Sequence, residues 1–333
     1  MVTINDVAKA AGVSFSTVSA VLGKRSNRPG VRPETTAKIL AAAKALGYRR
    51  NALASLMANA KSNLISCVAR DFAPEFVSRI LVGIQQAADR QGYLVKLCHI
   101  APGDAPADKI DRMIEYRPAG IISLHHDGEF IDELAAAAET CEIPLIRVDT
   151  YVDKPGTIRI FSDDRRGVEL MLEHLKSSGR RRIGLVSLAP AAYPFARSRI
   201  ERFHSYAEKL GLETCGQWEY CGEADESFDR FVEGIVSQKD KPDAFFATGD
   251  FFAVTLLCRL REAGIKVPAE MAVAGYSNFL TAQIVRPQLT TIEQHYEKMG
   301  EIAMRKLGTI IRGATARPQD REIPVRLIIR EST

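Results

Sequence analysis

Apolar positions run along this chain in two different rhythms. In TINDVAKAAGVSFSTVSAVL (Thr3–Leu22), Ile4, Val7, Ala8 and Ala11 recur at helical spacing, so a first short helix has one face to bury. Gly12 stands where that helix stops and the chain must turn. Val13 then packs inward. Ser14 can cap a second helix by accepting a backbone N–H bond, with Thr17 three residues on. Val18, Val21 and Leu22 supply the second buried stripe and leave Phe15, Ser16, Ser19 and Ala20 on the outer face. Two short helices about a glycine turn match the helix-turn-helix, whose second helix enters the major groove of DNA; the alternative is a plain helix pair in a core. A third helix is expected to open at Pro33 and Glu34, with proline in its first turn and a carboxylate near its positive end. It should bury Ile39, Leu40, Ala43 and Leu46 and end at Gly47.

From Leu64 onward the rhythm changes to short apolar runs alternating with amphipathic stretches. Residues 64–69, 94–100, 120–124, 145–148, 183–188, 244–248 and 271–276 read as buried strands. Residues 75–91, 107–116, 131–139, 166–178, 196–210, 228–237 and 251–263 read as the helices between them. Alternating strand and helix predicts parallel sheets with helices on both faces, here an α/β region of two subdomains with a cleft between them. Ligands in such sheets sit beyond the carboxyl ends of the strands. That criterion selects Asp71 and Phe72, His125 and His126, Asp149, residues 187–190, Gly249 and Asp250, and Ser277 and Asn278.

Charge divides the chain at the same place. Of its 45 basic and 41 acidic residues, ten and two lie in residues 1–61, which leaves 35 and 39 for the rest. A basic head of +8 on a mildly acidic body is the electrostatic footprint of a phosphate-binding surface. Lys24, Arg25, Arg28 and Arg32 crowd the loop GKRSNRPGVRPET, where glycines and prolines forbid a helix; it lies against the sugar-phosphate backbone or simply faces water. At 333 residues two or three domains are expected, and 46% apolar and 26% charged residues are those of a soluble globular protein. No signal-peptide pattern opens the sequence and no run of eighteen apolar residues occurs, so a cytoplasmic protein without membrane attachment is expected. Six scattered cysteines without a CxxC pair are expected to be buried thiols. Adjacent His125 and His126 point to opposite sides of an extended segment, so neither a metal site nor a cofactor is expected. GxSxG, HExxH, Walker and GxGxxG patterns do not occur, which argues against an enzyme.

Residues 3–22, then ALGYRRNALASLMANAKSN (Ala45–Asn63), resemble the N-terminal signature of the LacI/GalR family of bacterial transcription regulators, and the resemblance runs to the closing LIIREST. It implies an all-α helix-turn-helix headpiece (1–50), a hinge helix and linker (51–63), and a periplasmic-binding-protein-like effector and dimerisation domain of two parallel-sheet subdomains (64–333). It implies a homodimer, most often a repressor, that reads double-stranded operator DNA under a sugar-related effector. The resemblance carries DNA contact onto Thr3, Ser14, Phe15, Ser16, Thr17, Ser19, Ala20, Lys24, Arg25, Arg28, Asn51, Ala54 and Met57. Residues 51–59 are too short to be a stable helix alone and should order only beside a dimer mate on DNA. Met57 takes the place of the family's leucine wedge, and an apolar, unbranched side chain can still act as one.

The effector set is Asp71, Phe72, His125, Asp149, Arg199, Asp250 and Ser277. The family's ligand arginine matches Arg199 and its cleft aspartate matches Asp250; the alternatives are an ion pair of Arg199 with Glu201 and a helix N-cap at Asp250. Ser277 replaces a usual aspartate, Pro74 and Glu75 replace a usual Asn-Pro, and Gly249 replaces a common Asn or Asp. Loss of one carboxylate suggests an effector bearing an acid or phosphate group held by Arg199. Apolar Phe76, Ile80 and Ile84 are candidates for the dimer face, the alternative being core packing. The chain stops directly after its last expected strand without leucine heptads, so a dimer is expected rather than a tetramer. A transporter's solute-binding protein and a sugar-processing enzyme share the effector architecture; the first would lack the basic head, and no acid–base pair marks the second.

The short, uncharged reading face makes its own prediction. Ala20 cannot form the bidentate contact to guanine that arginine makes, whereas Phe15 and Ala20 offer apolar contact to thymine methyls and Ser16 and Ser19 offer hydroxyls. Binding-site selection from random DNA should enrich sequences with no strict guanine opposite Ala20; a strict guanine there would overturn this.

Overall fold

Thr3 opens the first helix with a reciprocal cap. Its hydroxyl accepts from the Asp6 N–H at 3.3 Å, and the Asp6 carboxylate accepts from the Thr3 N–H at 2.8 Å. Helix α1 (Ile4–Ala11) stops at Gly12, whose φ of +64° is the left-handed conformation that lets its N–H close on the last carbonyls. Ser14 Oγ accepts from the Thr17 N–H at 3.2 Å, as the capping reading expects, and starts α2 (Phe15–Leu22). Helix α3 (Pro33–Ala45) begins with its proline, and Val7, Ala8, Ala11, Val18, Ile39 and Ala43 form the small core. Leu40 and Leu46 are not in it, being 51% and 38% exposed. Leu40 lies about 100° round the helix from Ile39, which takes the inward position, and Leu46 lies just past the helix end.

The computed structural model describes residues 2–22, 31–49, 62–101, 103–150, 154, 156–190, 194–313 and 319–333. The chain forms two compact units, Met1–Ser62 and Asn63–Thr333. Lys24, Arg25, Arg28, Asn51, Ala54 and Met57 lie outside the described residues.

The second unit carries two parallel sheets. The first has the order β11-β5-β4-β3-β1-β2, from β1 (Leu64–Ala69), β2 (Leu94–His99), β3 (Gly120–Ser123), β4 (Leu145–Val148), β5 (Ile158–Ser162) and β11 (Arg321–Ile323). The second has the order β7-β6-β8-β9, from β6 (Ile183–Ser187), β7 (Glu219–Cys221), β8 (Ala244–Ala247) and β9 (Ala272–Ala274). An antiparallel pair, β10 (Thr291–Glu293) with β12 (Arg326–Ile328), accompanies it. Helices α4 (Glu75–Gln91), α5 (Pro106–Ile114), α6 (Gly128–Thr140) and α12 (Tyr296–Ile311) belong with the first sheet. Helices α7 (Asp164–Ser177), α8 (Pro194–Leu210), α9 (Glu226–Ser237), α10 (Asp250–Glu262) and α11 (Leu280–Ile284) belong with the second. Three segments cross between the sheets: β5 to α7, β10 to α12, and β11 to β12.

All seven expected strands are present, but β2 is a half-exposed edge rather than a buried strand. The free thiols also depart from expectation: only Cys67 is fully buried, and Cys141 and Cys221 are exposed at a helix end and an edge strand. Phe76, Ile80 and Ile84 do not form a free face. Ile80 and Ile84 are fully buried between α4 and α12, and Phe76 packs against the same core. The unexpected partner is α12, and glycine permits its approach. A Cβ on Gly83 would fall on the Glu297 carbonyl, and one on Gly300 on the Ile80 carbonyl, both well inside contact distance. Among the described residues, no helix is long and apolar enough to cross a membrane.

Two substitutions separate close packing from helix propensity. Gly300→Ala must push two backbones apart and should cost about 3 kcal/mol in urea unfolding. Gly234→Ala, in α9 with nothing within 4 Å of the new methyl, should stabilise by up to about 1 kcal/mol.

Candidate functional site

On α2 the predicted outer face is open. Phe15 is 53% exposed, Ser16 and Ser19 are exposed, and Ala20 and Thr17 are half-buried. The Ser14 hydroxyl lies 2.8 Å from both the Ser16 and Thr17 hydroxyls, so the cap also orients two side chains of the face. Thr3 is exposed, with its hydroxyl held by Asp6 at 2.7 Å. No acidic residue stands in the first turn of α2, where it would repel a phosphate.

In the second unit, parallel pairing of β4, β3 and β1 brings Asp149, His125 and Asp71 to one carboxyl-terminal edge. Asp71 is exposed and accepts from the Ala73 N–H at 2.8 Å. Phe72 is half-buried, its ring 6.4 Å from that of His99. His125 is buried: Nδ1 accepts from the Asp127 N–H at 3.2 Å and its ring packs on Phe130 at 4.3 Å. Burial and the neighbouring His125 push the His126 imidazole down to about 4, so it stays neutral. His125 thus serves the start of α6, whereas the His126 ring lies 6.3 Å from that of Phe76 on α4.

Arg199 is neither at the surface nor paired with Glu201. It is 3% exposed, and its guanidinium binds Asp164 through Nε at 2.9 Å and Nη2 at 3.2 Å. Nη1 donates to the Thr248 carbonyl at 2.7 Å, Nη2 also donates to Gln294, and the Tyr276 ring lies 3.8 Å beneath. Asp164 further accepts from the Ser162 and Tyr276 hydroxyls at 2.8 and 2.9 Å. The buried charges are therefore paired and hydrogen-bonded, as their survival away from water requires. Asp164 belongs to the β5-to-α7 crossing and Gln294 to the β10-to-α12 crossing, so Arg199 ties two crossings together. The third joins through the Asp163 N–H, which donates to the Ile323 carbonyl at 2.9 Å.

Tyr296 continues the cluster. Its hydroxyl accepts from Gln294 and donates to Ser277 Oγ at 3.1 Å, and burial together with the Asp149 charge raises its phenol pKa. Asp149, beside them, is 8% exposed with φ +55°, and its carboxyl is pushed up to about 7 by burial, lowered by Arg199 and raised by Asp164. Asp250 is fully buried but does not cap its helix; Gly249 holds that position. Its oxygens accept instead from the Thr291 hydroxyl at 2.6 Å and the Phe279 N–H at 2.7 Å, and burial pushes its carboxyl up to about 6 against those bonds. One carboxylate oxygen thus braces the loop after β9 and the other the start of β10.

A second charged group spans the subdomains. Arg79 on α4 binds Glu297 at 2.7 Å and Glu293 at 3.3 Å, while Glu75 accepts from the Leu280 N–H at 3.0 Å.

The sequence reading missed Asp164, Thr248, Tyr276, Gln294 and Tyr296. Asp164 follows β5, in which Arg159 interrupts the apolar run. Gln294 and Tyr296 stand at the start of α12, whose Met299, Ile302, Ala303 and Leu307 carry an ordinary helical spacing that would have revealed it.

Comparison with known proteins agrees with this architecture. Residues 3–51 match the family described as bacterial regulatory proteins, lacI family, and residues 172–333 match the periplasmic binding protein-like domain. The chain is 29% identical over 313 residues to the HTH-type transcriptional repressor PurR of Aliivibrio salmonicida, covering 92% of this chain and 91% of that protein. It is 28% identical over 338 residues to the lactose operon repressor of Escherichia coli K12, covering 100% and 91%. A crystal structure of the lac repressor dimer bound to operator and the anti-inducer ONPF superposes with a TM-score of 0.84, at 25% identity over 99% of this chain and 98% of that one. The chain carries a LacI-family helix-turn-helix domain and a periplasmic-binding-protein-like domain. It is a transcription regulator with a DNA-binding helix-turn-helix, and not an enzyme.

The ion pair makes a testable claim. Asp164→Ala leaves a buried guanidinium uncompensated and should cost about 3–5 kcal/mol in urea unfolding. Adding Arg199→Met to it should recover much of that loss; additive losses would show that the two side chains do not act as a pair.

Proposed function

We propose that the protein is a repressor acting in the cytoplasm as a homodimer on a pseudo-palindromic operator, under control of a small sugar-related effector. The open, uncharged face of α2 in a strongly basic head carries this reading. Residues 1–50 act as the headpiece, 51–63 as the hinge and 64–333 as the effector domain. Phe15, Ser16, Ser19 and Ala20 read base edges in the major groove. Thr3, Ser14, Thr17, Lys24, Arg25 and Arg28 hold phosphates, and Asn51, Ala54 and Met57 engage the minor groove.

The effector binds between the carboxyl ends of the two sheets, with Asp71, Phe72, His125 and Asp149 of the first and Arg199, Asp250 and Ser277 of the second as its candidate contacts. Its occupancy biases the arrangement of the three crossings, and each arrangement sets a different spacing of the two hinges. The dimer face is read from exposed apolar side chains rather than from the inner face of α4. Phe251, Leu280 and Ile284 on α10 and α11 are 62%, 58% and 64% exposed; Leu94, Leu97 and Tyr116, on and near edge strand β2, are 50%, 51% and 54% exposed. A second copy related by a two-fold axis covers both patches and presents two reading helices to two half-sites.

Selection from random DNA at fixed moderate salt tests the reading. Enrichment of a pseudo-palindrome near ~20 base pairs is expected; binding without sequence preference, with and without pooled sugars and sugar derivatives, would refute it. On the selected operator Phe15→Ala should weaken binding about tenfold or more. Ile284→Asp should sediment as a monomer and lose operator affinity at nanomolar concentration.

A further inference from the structure

The cluster around Arg199 has one acid too many. Asp164 already neutralises the guanidinium, and four of its N–H donations go to Asp164, Thr248 and Gln294. Asp149 adds a second carboxyl beside this balanced pair. It is more than nine-tenths buried, and among the described residues nothing donates to its Oδ1. Among the described residues the adjacent Thr150 Oγ1, 1% exposed, likewise has no partner. Both atoms stand at the carboxyl end of β4, the edge where a ligand would enter. The groups that act on Asp149 are Arg199, already paired, and Asp164, of like charge; the Tyr296 phenol beside it stays protonated. Oδ1 contributes no bond to the fold among the described residues, and a buried acceptor without a donor is a cost.

The expectation of an acidic or phosphorylated effector held by Arg199 therefore fails on charge. Such an anion would have to displace Asp164 from the guanidinium and then lie against Asp149.

We propose that the effector is a polyol bearing a protonated amine, with the ammonium donating to Asp149 Oδ1 and the Thr150 hydroxyl bonding a neighbouring polar group of the ligand. This rests on reading the second unit as an effector domain and names the ligand class of that site. The ammonium brings the missing positive charge, and a charge-assisted bond is about twice as strong as a neutral one, which corresponds to about tenfold in affinity. Asp149 then sets specificity, and Arg199 holds the crossings.

Calorimetry on the intact protein tests this with matched pentose and hexose triplets: the amino sugar, the neutral sugar, and the sugar phosphate or acid. Amino members are expected to bind about tenfold more tightly than their neutral counterparts, with Asp149→Asn removing the preference. A neutral or anionic member binding as tightly as the amine, or no amino member binding at all, overturns the proposal. A second arm needs no ligand. Asp149 is protonated in the folded chain at pH 5 but ionised in the unfolded chain above about pH 4, so stability falls as pH rises from about 4 to 7 and is then level. Asp149→Asn should therefore melt above wild type at pH 8 and close to it at pH 4; melting below wild type at pH 8 would show a carboxylate that the fold needs and overturn the assignment. The two readings fail separately: a selected operator without amine binding sinks this proposal alone, and the absence of any operator sinks the regulator reading.

Discussion

The pairing of Arg199 with Asp164 is the constraint on which the second unit depends. Three strands of chain pass between its two sheets, and none of the three is itself a regular element at the crossing. A guanidinium with a fixed planar fork can bond several partners at once, and here it reaches Asp164 on one crossing, Gln294 on another and the end of β8. Ser162 and Tyr276 complete the carboxylate's bonding, so neither charge is left bare in an interior where that would be prohibitive. A joint built this way favours discrete arrangements over gradual bending, because any shift breaks a charged bond outright.

That property suits a regulator. A ligand controls such a joint only through contacts that differ between its arrangements. Ser277 and Tyr296 link the loop after β9 to the start of α12, and Arg79 holds Glu293 and Glu297 on either side of the same crossing. Glu75 reaches the Leu280 N–H from the other subdomain. A group bound beside Asp149 thus meets side chains whose bonds belong to both halves of the unit. The α4–α12 contact sets the opposite limit: glycines at 83 and 300 bring two backbones close enough to make that half stiff.

The reading head works on a different physical basis. Its core is small and its helices are short, so caps matter more than burial. The reciprocal Thr3–Asp6 cap, the Gly12 turn and the Ser14 cap hold α1 and α2 in register and leave Phe15 outside. An exposed aromatic with hydroxyls beside it suits apolar and hydroxyl contact with bases, while the basic residues of the head supply affinity without sequence information.

Local signals were enough for much of this. Capping residues, a glycine turn and apolar spacing determined the helix-turn-helix, and apolar runs placed seven strands, because each depends on neighbours close in the chain. The uneven charge pointed to nucleic acid for the same reason: a sum over residues needs no coordinates. Short or charged strands such as β5 and β11 were not legible, since they are strands only by virtue of the neighbours they pair with. The roles of Arg199, Asp250 and Asp149 were decided by tertiary structure alone. Whether an arginine is free or neutralised depends on Asp164, 35 residues away, and on Gln294, 95 residues away. Whether a carboxylate is satisfied depends on which N–H and hydroxyl groups the closed fold brings to it: Asp250 receives two donors and Asp149 Oδ1 receives none among the described residues.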